Sequence, residues 1–117
     1  MQFCYYNYEV HIVAVLQGVL LEEINRLEKN INAYEDMLSN LPRGSIFIRQ
    51  IGNSFFVYRK RKEKGKVISI YLGNLDDEKV KKEIELSQEY KRIKNNIRIA
   101  RNELNKIRKA YKAYDRQ

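Results

Sequence analysis

The residues best suited to catalysis are few and scattered along the chain. The single histidine, His11, lies inside an apolar stretch, where a packed or surface role is commoner than that of a general base. The single cysteine, Cys4, has no neighbouring base that could activate its thiol. Adjacent carboxylates at Glu22, Glu23 and 76–78 are explained by solvation or helix capping. Phosphate-binding loops, zinc-ligand spacings and dinucleotide fingerprints are absent from the sequence. The sequence therefore predicts a protein that is not an enzyme, with no metal, cofactor or small-molecule substrate.

Clustered basic residues are the strongest functional pattern. Residues 43–66 contain eight Lys or Arg and one Glu, a net charge of +7, whereas residues 1–42 have a net charge of −4. Six of these cations stand between positions 59 and 66, around a predicted tight turn. Lys and Arg displace counterions from phosphates, and a two-stranded ribbon is narrow enough to enter a major groove. The pattern predicts nucleic-acid binding; the alternative is a solvated hairpin whose lysines protect a sheet edge.

A second basic pattern lies on the predicted C-terminal helix. Its stripe of Lys and Arg either neutralises the first helix, is simply solvated, or extends the positive surface of the ribbon. The residues of ribbon and stripe that we expect to contact a partner are Arg49, Arg59, Lys60, Arg61, Lys62, Lys64, Lys66, Arg98, Arg101 and Arg108. DNA, RNA, a nuclease ribonucleoprotein and an acidic protein surface are the candidate partners.

Aromatic residues form two groups. Phe55, Phe56 and Tyr58 precede the basic cluster, and we expect them to cover the helices rather than stack on bases, because a meander needs one buried face. A second group is close to the two ends of the chain, where an antiparallel return of the second helix would bring its members together as an aromatic cap. Its members are Tyr5, Tyr6, Tyr8, Tyr111 and Tyr114. The alternative is a protein–protein interface, where tyrosine is common.

Two heptad seams define the elements that position these residues. The first predicts a helix over about residues 9–40, ended by Pro42, and consists of Leu20, Ile24, Leu27, Ile31, Tyr34, Leu38 and Leu41. The aromatic residues before it could begin a strand or form an irregular lead-in. The second predicts a helix over about residues 77–114, capped by Asp76 or Asp77, and consists of Tyr90, Ile93, Ile97, Ala100, Leu104, Ile107, Tyr111 and Tyr114. Val80, Ile84 and Ser87 fit a shifted register, which predicts a break in the seam near 86–90.

Between the helices the hydrophobic period changes to two. Strands are predicted over 45–51, 54–61 and 66–72, separated by short turns that require antiparallel pairing. The fold class is therefore α+β, with two long antiparallel helices (a coiled-coil hairpin) and a three-stranded meander inserted between them, in a single domain over residues 1–117. An acidic first helix complements a basic second one; pairing of the seams between two chains, giving a homodimer, is the alternative.

Composition indicates a cytoplasmic protein. A single thiol cannot form an internal disulfide, so nothing indicates an oxidising compartment. The apolar stretch Val10–Leu21 is interrupted by polar residues and is shorter than the roughly 20 residues of a membrane span. The first nine residues lack the basic region of a signal peptide and include Glu9.

The middle of the chain resembles a known module. The quoted residues are Leu41-Pro42-Arg43-Gly44-Ser45, Tyr58-Arg59, Gly65-Lys66-Val67 and Tyr71-Leu72-Gly73. They resemble small proteins of Gram-positive bacteria and their mobile elements with a leader helix, an LP-x-GS hairpin with GKV and YLG, and a coiled coil. A similar hairpin occurs in some transposases and Fic-type proteins. The resemblance covers about residues 41–73 and departs from the pattern at residues 1–19.

What the resemblance implies is a mobile-element or phage setting, in which small binding proteins act as host-defence inhibitors such as anti-CRISPR proteins. Together with the basic cluster, it leads to the expectation of a protein that contacts nucleic acid or a nucleic-acid-loaded complex, for example to inhibit a CRISPR-Cas nuclease. The alternative is a coiled-coil structural or oligomerisation protein with no nucleic-acid role.

Overall fold

Five elements make up the chain in the computed structural model, which describes the backbone of residues 2–115 and the side chains of residues 12–114. They are α1 (Gln2–Ser39), β1 (Ser45–Ile51), β2 (Ser54–Glu63), β3 (Lys66–Asn74) and α2 (Glu78–Asp115). This order confirms the predicted α+β layout of two long helices with an antiparallel meander between them. The chain divides into two compact units, which we call the helix unit (the segment up to Glu35 and that from Asn96) and the sheet unit (Asp36–Asn95). The single domain over 1–117 stays a prediction.

In the helix unit, α1 and α2 run antiparallel. Glu28 pairs with Arg108 at 2.5 Å and Glu35 pairs with Arg101, so residue numbers fall along one helix as they rise along the other. These pairs confirm the expected match between an acidic first helix and a basic second one. The predicted seams supply the buried apolar side chains of this unit, which are Ile24, Leu27, Ile31, Ile97, Ala100 and Leu104. Removal of these side chains from water is the main stabilisation of the helix pair.

The first helix begins earlier than predicted. It starts at Gln2, so a strand or an irregular lead-in near the N-terminus is wrong. Residues 2–17 contain neither glycine nor proline, and nothing in them interrupts the helix. The side chains of residues 4, 5, 6, 8 and 11 and residue 116 lie outside the described part, and the aromatic cap stays a prediction. Among the residues that the structure describes, neither helix has a stretch long and apolar enough to cross a membrane.

The second helix begins at a capping aspartate. The backbone N–H of Lys79 donates a hydrogen bond to Oδ1 of Asp77 at 3.0 Å, which confirms one of the two predicted caps. Along α2 the buried positions Val80 and Ser87 are seven residues apart, but the next, Ile93, follows after only six. That shortened step confirms the predicted break in the seam near 86–90.

The meander pairs β1 with β2 and β2 with β3. Gly52 has φ +63 at the first position of a two-residue turn, and Lys64 and Gly65 both have positive φ, as the two-residue turns that join twisted antiparallel strands require. Because the second turn uses two residues rather than four, β2 continues to Glu63, two residues further than predicted. β3 likewise ends at Asn74 rather than at residue 72.

The two faces of the sheet differ in what they contact. Val57 is fully buried, and Arg59 pairs with Glu83 of α2, which identifies the face that meets the helix. Gly73 lies opposite Val57, and a Cβ there would be 2.9 Å from Val80. Side chains alternate along a strand, so Phe56 and Tyr58 lie on the other face. The prediction that these two aromatics cover the helices is wrong, because the alternate positions of β2 take that place.

Candidate nucleic-acid interface

A cleft of about 450 Å³ opens in the sheet unit, beside the start of β1, the end of β2 and the middle of α2. We call it the lysine cleft. It is lined by Gly44, Ser45, Lys60, Arg61, Lys62, Val67, Tyr90, Lys91 and Lys94. Five of these nine residues are basic and none is acidic, so the cleft favours an anionic ligand.

Regular backbone geometry places the lysines in pairs. Lys60 and Lys62 are two residues apart on β2 and share the face of Phe56 and Tyr58, whereas Arg61 between them shares the face of Arg59. Lys91 and Lys94 are three residues apart on α2 and are neighbours on the helix surface. Gly44 brings the chain close to β2: its φ is +102, and a Cβ there would overlap the carbonyl oxygen of Lys60. A glycine is therefore required where the chain enters β1.

No carboxylate within the described part of the chain forms an ion pair with any of these four lysines. Two of them contact aromatic rings instead. Nζ of Lys60 lies 4.3 Å from the centroid of the Phe47 ring, and Nζ of Lys94 lies 5.8 Å from that of Tyr90. A ring orients an ammonium group without neutralising its charge. The four charges consequently remain available to a ligand.

Two nearby carboxylates are bound to arginines. Glu63 pairs with Arg61 at 2.7 Å, and Glu89 accepts hydrogen bonds from Arg92. The hydrogen bond from Arg92 holds the pKa of Glu89 below its ordinary value, because it favours the charged carboxylate. The sheet unit as a whole contains fourteen Lys or Arg and eight Asp or Glu, a net charge of +6 of the +8 in the chain. The positive charge is thus concentrated where the cleft lies.

Six of the ten residues that the sequence predicts as partner contacts lie at the cleft or on the exposed part of the hairpin, and one of them, Arg61, is engaged in an ion pair with Glu63. Lys60, Arg61 and Lys62 line the cleft. Lys64 and Lys66 are exposed at the turn between β2 and β3, and Arg49 is exposed on β1. The hairpin therefore presents cations both in the cleft and at its tip.

The other four predicted contact residues are Arg59, Arg98, Arg101 and Arg108. Arg59 has only 11% of its side chain exposed and donates a hydrogen bond to Glu83 at 2.5 Å. Arg101 and Arg108 pair across the helix unit with carboxylates of α1. Arg98 is exposed on α2. These pairings show that Arg101 and Arg108 of the predicted stripe and Arg59 of the predicted ribbon stabilise the fold.

The α2 residues that line the cleft are not among the predicted contact residues. Lys91 and Lys94 belong to the basic stripe of α2, and Tyr90 belongs to the predicted seam, but only the packing of α2 on the sheet brings them to the ribbon. The Tyr90–Lys94 spacing of four residues, typical of a helical cation–aromatic pair, is the pattern that could have indicated them.

A metal centre is not formed by the described side chains, since no three of their His, Cys, Asp or Glu residues are grouped to hold an ion. The chemistry available in the cleft is charge pairing and hydrogen bonding from ammonium groups, with a tyrosine ring at one side. Such a set of groups binds anions, and phosphates in particular.

Comparison with known protein families finds a match for this chain. Residues 19–82 match the model of a domain of unknown function, DUF6788, over more than half of the chain. The chain belongs to this family. No curated protein and no solved structure matches it. The DUF6788 match includes Lys60 and Lys62 on β2 and ends at Lys82, before the residues of α2 that line the cleft.

Proposed function

We propose that the chain is a non-enzymatic nucleic-acid-binding protein whose lysine cleft holds the phosphates of the backbone. One observation supports this most directly. Lys60 and Lys62 of β2 and Lys91 and Lys94 of α2 line one cleft that has no acidic lining residue. Cations held without carboxylate partners repel one another, an arrangement that an anionic ligand relieves.

The distribution of charge favours a polyanion over a small anion. Lys64 and Lys66 continue the series of exposed cations from the cleft to the tip of the hairpin. A single phosphate or carboxylate ion would meet only one part of this series, whereas a nucleic-acid backbone presents a charge at every nucleotide. Each additional contact then releases a further counterion and increases affinity.

The experiment is a binding titration with fluorescently labelled DNA and RNA oligonucleotides, read by anisotropy. A cleft variant replaces Lys60, Lys62, Lys91 and Lys94 with Gln. A control variant makes the same change in net charge at four exposed lysines that do not line the cleft, namely Lys82, Lys106, Lys109 and Lys112. Circular dichroism of both variants verifies that the helical content is kept.

The proposal predicts that the cleft variant loses most of its affinity and the control variant little. An equal loss of affinity in the two variants would show that net charge alone attracts the nucleic acid. An unchanged affinity of the cleft variant would show that the cleft does not bind it.

Inhibition of a host nuclease is a further proposal that follows from the resemblance to mobile-element proteins. A nuclease–guide complex exposes nucleic acid that the lysine cleft could contact. Addition of the chain to a CRISPR-Cas cleavage reaction should then reduce cleavage, and the cleft variant should not. Unreduced cleavage with demonstrated oligonucleotide binding would separate the inhibitor role from nucleic-acid binding.

Self-association is the second candidate function, and exposed apolar residues of α1 favour it. These residues, N-terminal to the packed part of the seam, are Ile12, Val15, Leu16, Val19 and Leu21. They adjoin the seam that packs against α2 from Ile24 onwards, so a second copy of α1 could continue the same type of interface. The partner proposed here is therefore another copy of this chain.

Size-exclusion chromatography with light scattering measures the mass of the protein in solution and so tests self-association. We expect a dimer whose mass falls to that of the monomer when Leu16 and Val19 are both changed to Glu, because a buried charge in the interface is unfavourable. Met37→Glu, at an exposed apolar position further along α1, is the control and should leave the dimer intact. A wild-type monomer at high concentration would exclude this candidate.

A further inference from the structure

The face of the sheet that lies opposite α2 bears four aromatic side chains, Phe47, Phe56, Tyr58 and Tyr71, which we call the aromatic face. Phe47 and Tyr58 are paired across β1 and β2, with ring centroids 5.0 Å apart and planes within 15°. Tyr71 of β3 lies opposite Tyr58, with centroids 5.3 Å apart, and its ring is 6.2 Å from that of Phe56. The four rings therefore form one continuous group across all three strands.

This group is not part of a core. Tyr71 has 55% of its surface exposed, and the other three rings are partly exposed. The residues of the sheet that pack towards α2 are Val57 and Arg59, on the opposite face. The solvent-exposed face of a sheet ordinarily bears polar side chains, so a group of aromatic rings on that face indicates a surface for a ligand.

Cations adjoin the rings on the same face. Arg49 is paired with Phe56 across β1 and β2 and shares the face of Phe47. Lys60 contacts the ring of Phe47 and also lines the lysine cleft. A ligand that extends from the cleft onto the aromatic face would meet cations first and ring surfaces next, without leaving the sheet unit.

We propose that the aromatic face stacks unpaired bases, so that the ligand of this protein is single-stranded DNA or RNA rather than a duplex. The inference rests on the proposed function, since the lysine cleft would hold the backbone of the same strand. Every base has a flat ring that stacks on an aromatic side chain, and in a duplex those surfaces are already covered by neighbouring bases. Tyr71, the most exposed ring of the four, is the primary stacking residue.

The experiment compares four fluorescently labelled ligands of one length with the full chain: single-stranded DNA, single-stranded RNA, duplex DNA, and an abasic strand that has the phosphates without the bases. We expect the DNA and RNA single strands to bind more tightly than the abasic strand, by about 5- to 150-fold for each base that stacks. The duplex should bind more weakly than the intact single strands, because its bases are not available to stack. The ratio of the DNA and RNA affinities shows whether the 2′-hydroxyl contributes to binding, because only RNA has this group.

A substitution on the aromatic face should remove the extra affinity that bases provide and leave the affinity for phosphates unchanged. Tyr71→Leu keeps an apolar side chain at this position and should lower the affinity for single strands towards that of the abasic strand, which it should bind as wild type does. Phe55→Leu, on the helix-facing side of β2 with 39% exposure, is the matched control and should change neither affinity. The sequence has nine tyrosines and no tryptophan, so the difference in tyrosine-fluorescence quenching between wild type and Tyr71→Leu isolates the contribution of Tyr71.

The outcomes separate this inference from the proposed function. Equal binding of the single strands and the abasic strand would overturn base stacking while leaving phosphate binding in place. Tighter binding of the duplex than of either single strand would also overturn it. If none of the four ligands bound, both proposals would fall together. A misfolded Tyr71 variant would not affect the wild-type comparison, which decides the question by itself.

Discussion

The interaction between Arg59 and Glu83 distinguishes an arginine that stabilises the fold from one that belongs to the binding surface. The sequence places Arg59 in the basic cluster, whereas the structure pairs it with α2 at 2.5 Å. A double-mutant cycle with Arg59→Met, Glu83→Gln and both together measures the coupling free energy of the pair. The cycle cancels the effect of each single substitution on its other surroundings.

Burial sets the expected magnitude of this coupling. Hydrogen bonds to charged groups contribute about 1.5–3 kcal/mol, whereas exposed ion pairs contribute about 0.2–1 kcal/mol. The side chain of Arg59 is 11% exposed and that of Glu83 is 37% exposed, which places the pair between these cases. We expect a coupling of about 1–2 kcal/mol. The Arg101–Glu35 pair has 59% and 44% exposure and should couple by less than about 1 kcal/mol.

Urea unfolding followed by circular dichroism supplies the free energies for both cycles. Oligonucleotide binding by Arg59→Met provides a second readout and should stay within about twofold of the wild-type affinity, because Arg59 does not line the cleft. A coupling at Arg59 no larger than that at Arg101 would refute the argument from burial. A stable Arg59→Met variant with severely weakened binding would show that this arginine contacts the nucleic acid.

Three further predictions concern the backbone and one carboxylate. Gly44→Ala should lower the free energy of unfolding by roughly 1–3 kcal/mol, since its Cβ would overlap the carbonyl oxygen of Lys60 and the residue has a positive φ. Thermal unfolding measures this change, and an unchanged midpoint would contradict it. Gly18→Ala should raise the free energy of unfolding by about 0.5–1 kcal/mol, because this helical glycine has open space around it, and a destabilised variant would show an unrecognised contact. In an NMR titration the pKa of Glu89 should lie below the ordinary value of a glutamate and rise in Arg92→Gln, which removes the hydrogen bond. A lowered carboxyl pKa stabilises the fold above the ordinary pKa, and this stabilisation is lost as the pH falls through the lowered value.

The sequence predicts the elements of this fold well, because each is specified by local patterns. The heptad spacing of Ile24, Leu27 and Ile31 predicts the buried side of α1, and these residues are buried. Asp77 is a predicted cap, and it caps α2. The exception is the start of α1, where an aromatic segment compatible with either helix or strand continues the helix to Gln2.

Assignments that depend on tertiary contacts could not be made from the sequence. Alternation along β2 shows that Phe56 and Arg59 lie on opposite faces, but it does not show which face meets α2. A larger apolar residue ordinarily occupies the buried face, yet here Val57 does so and the partly exposed rings lie outside. The lysine cleft likewise joins residues about 30 positions apart, Lys60 and Tyr90, which only the packing of the helix on the sheet brings together.

The salt dependence of oligonucleotide binding measures how many phosphates the lysine cleft contacts. Each phosphate contact contributes about 0.7–0.9 to the slope of log K against log salt, so replacement of Lys60, Lys62, Lys91 and Lys94 should reduce that slope by roughly 3. Four such contacts correspond to a change of about 50- to 150-fold in affinity between 50 and 200 mM salt. If the cleft holds the phosphates, the cleft variant shows this reduced slope, and the variant with Lys82, Lys106, Lys109 and Lys112 replaced keeps the wild-type slope. A cleft variant with the full wild-type slope would contradict phosphate binding by the cleft.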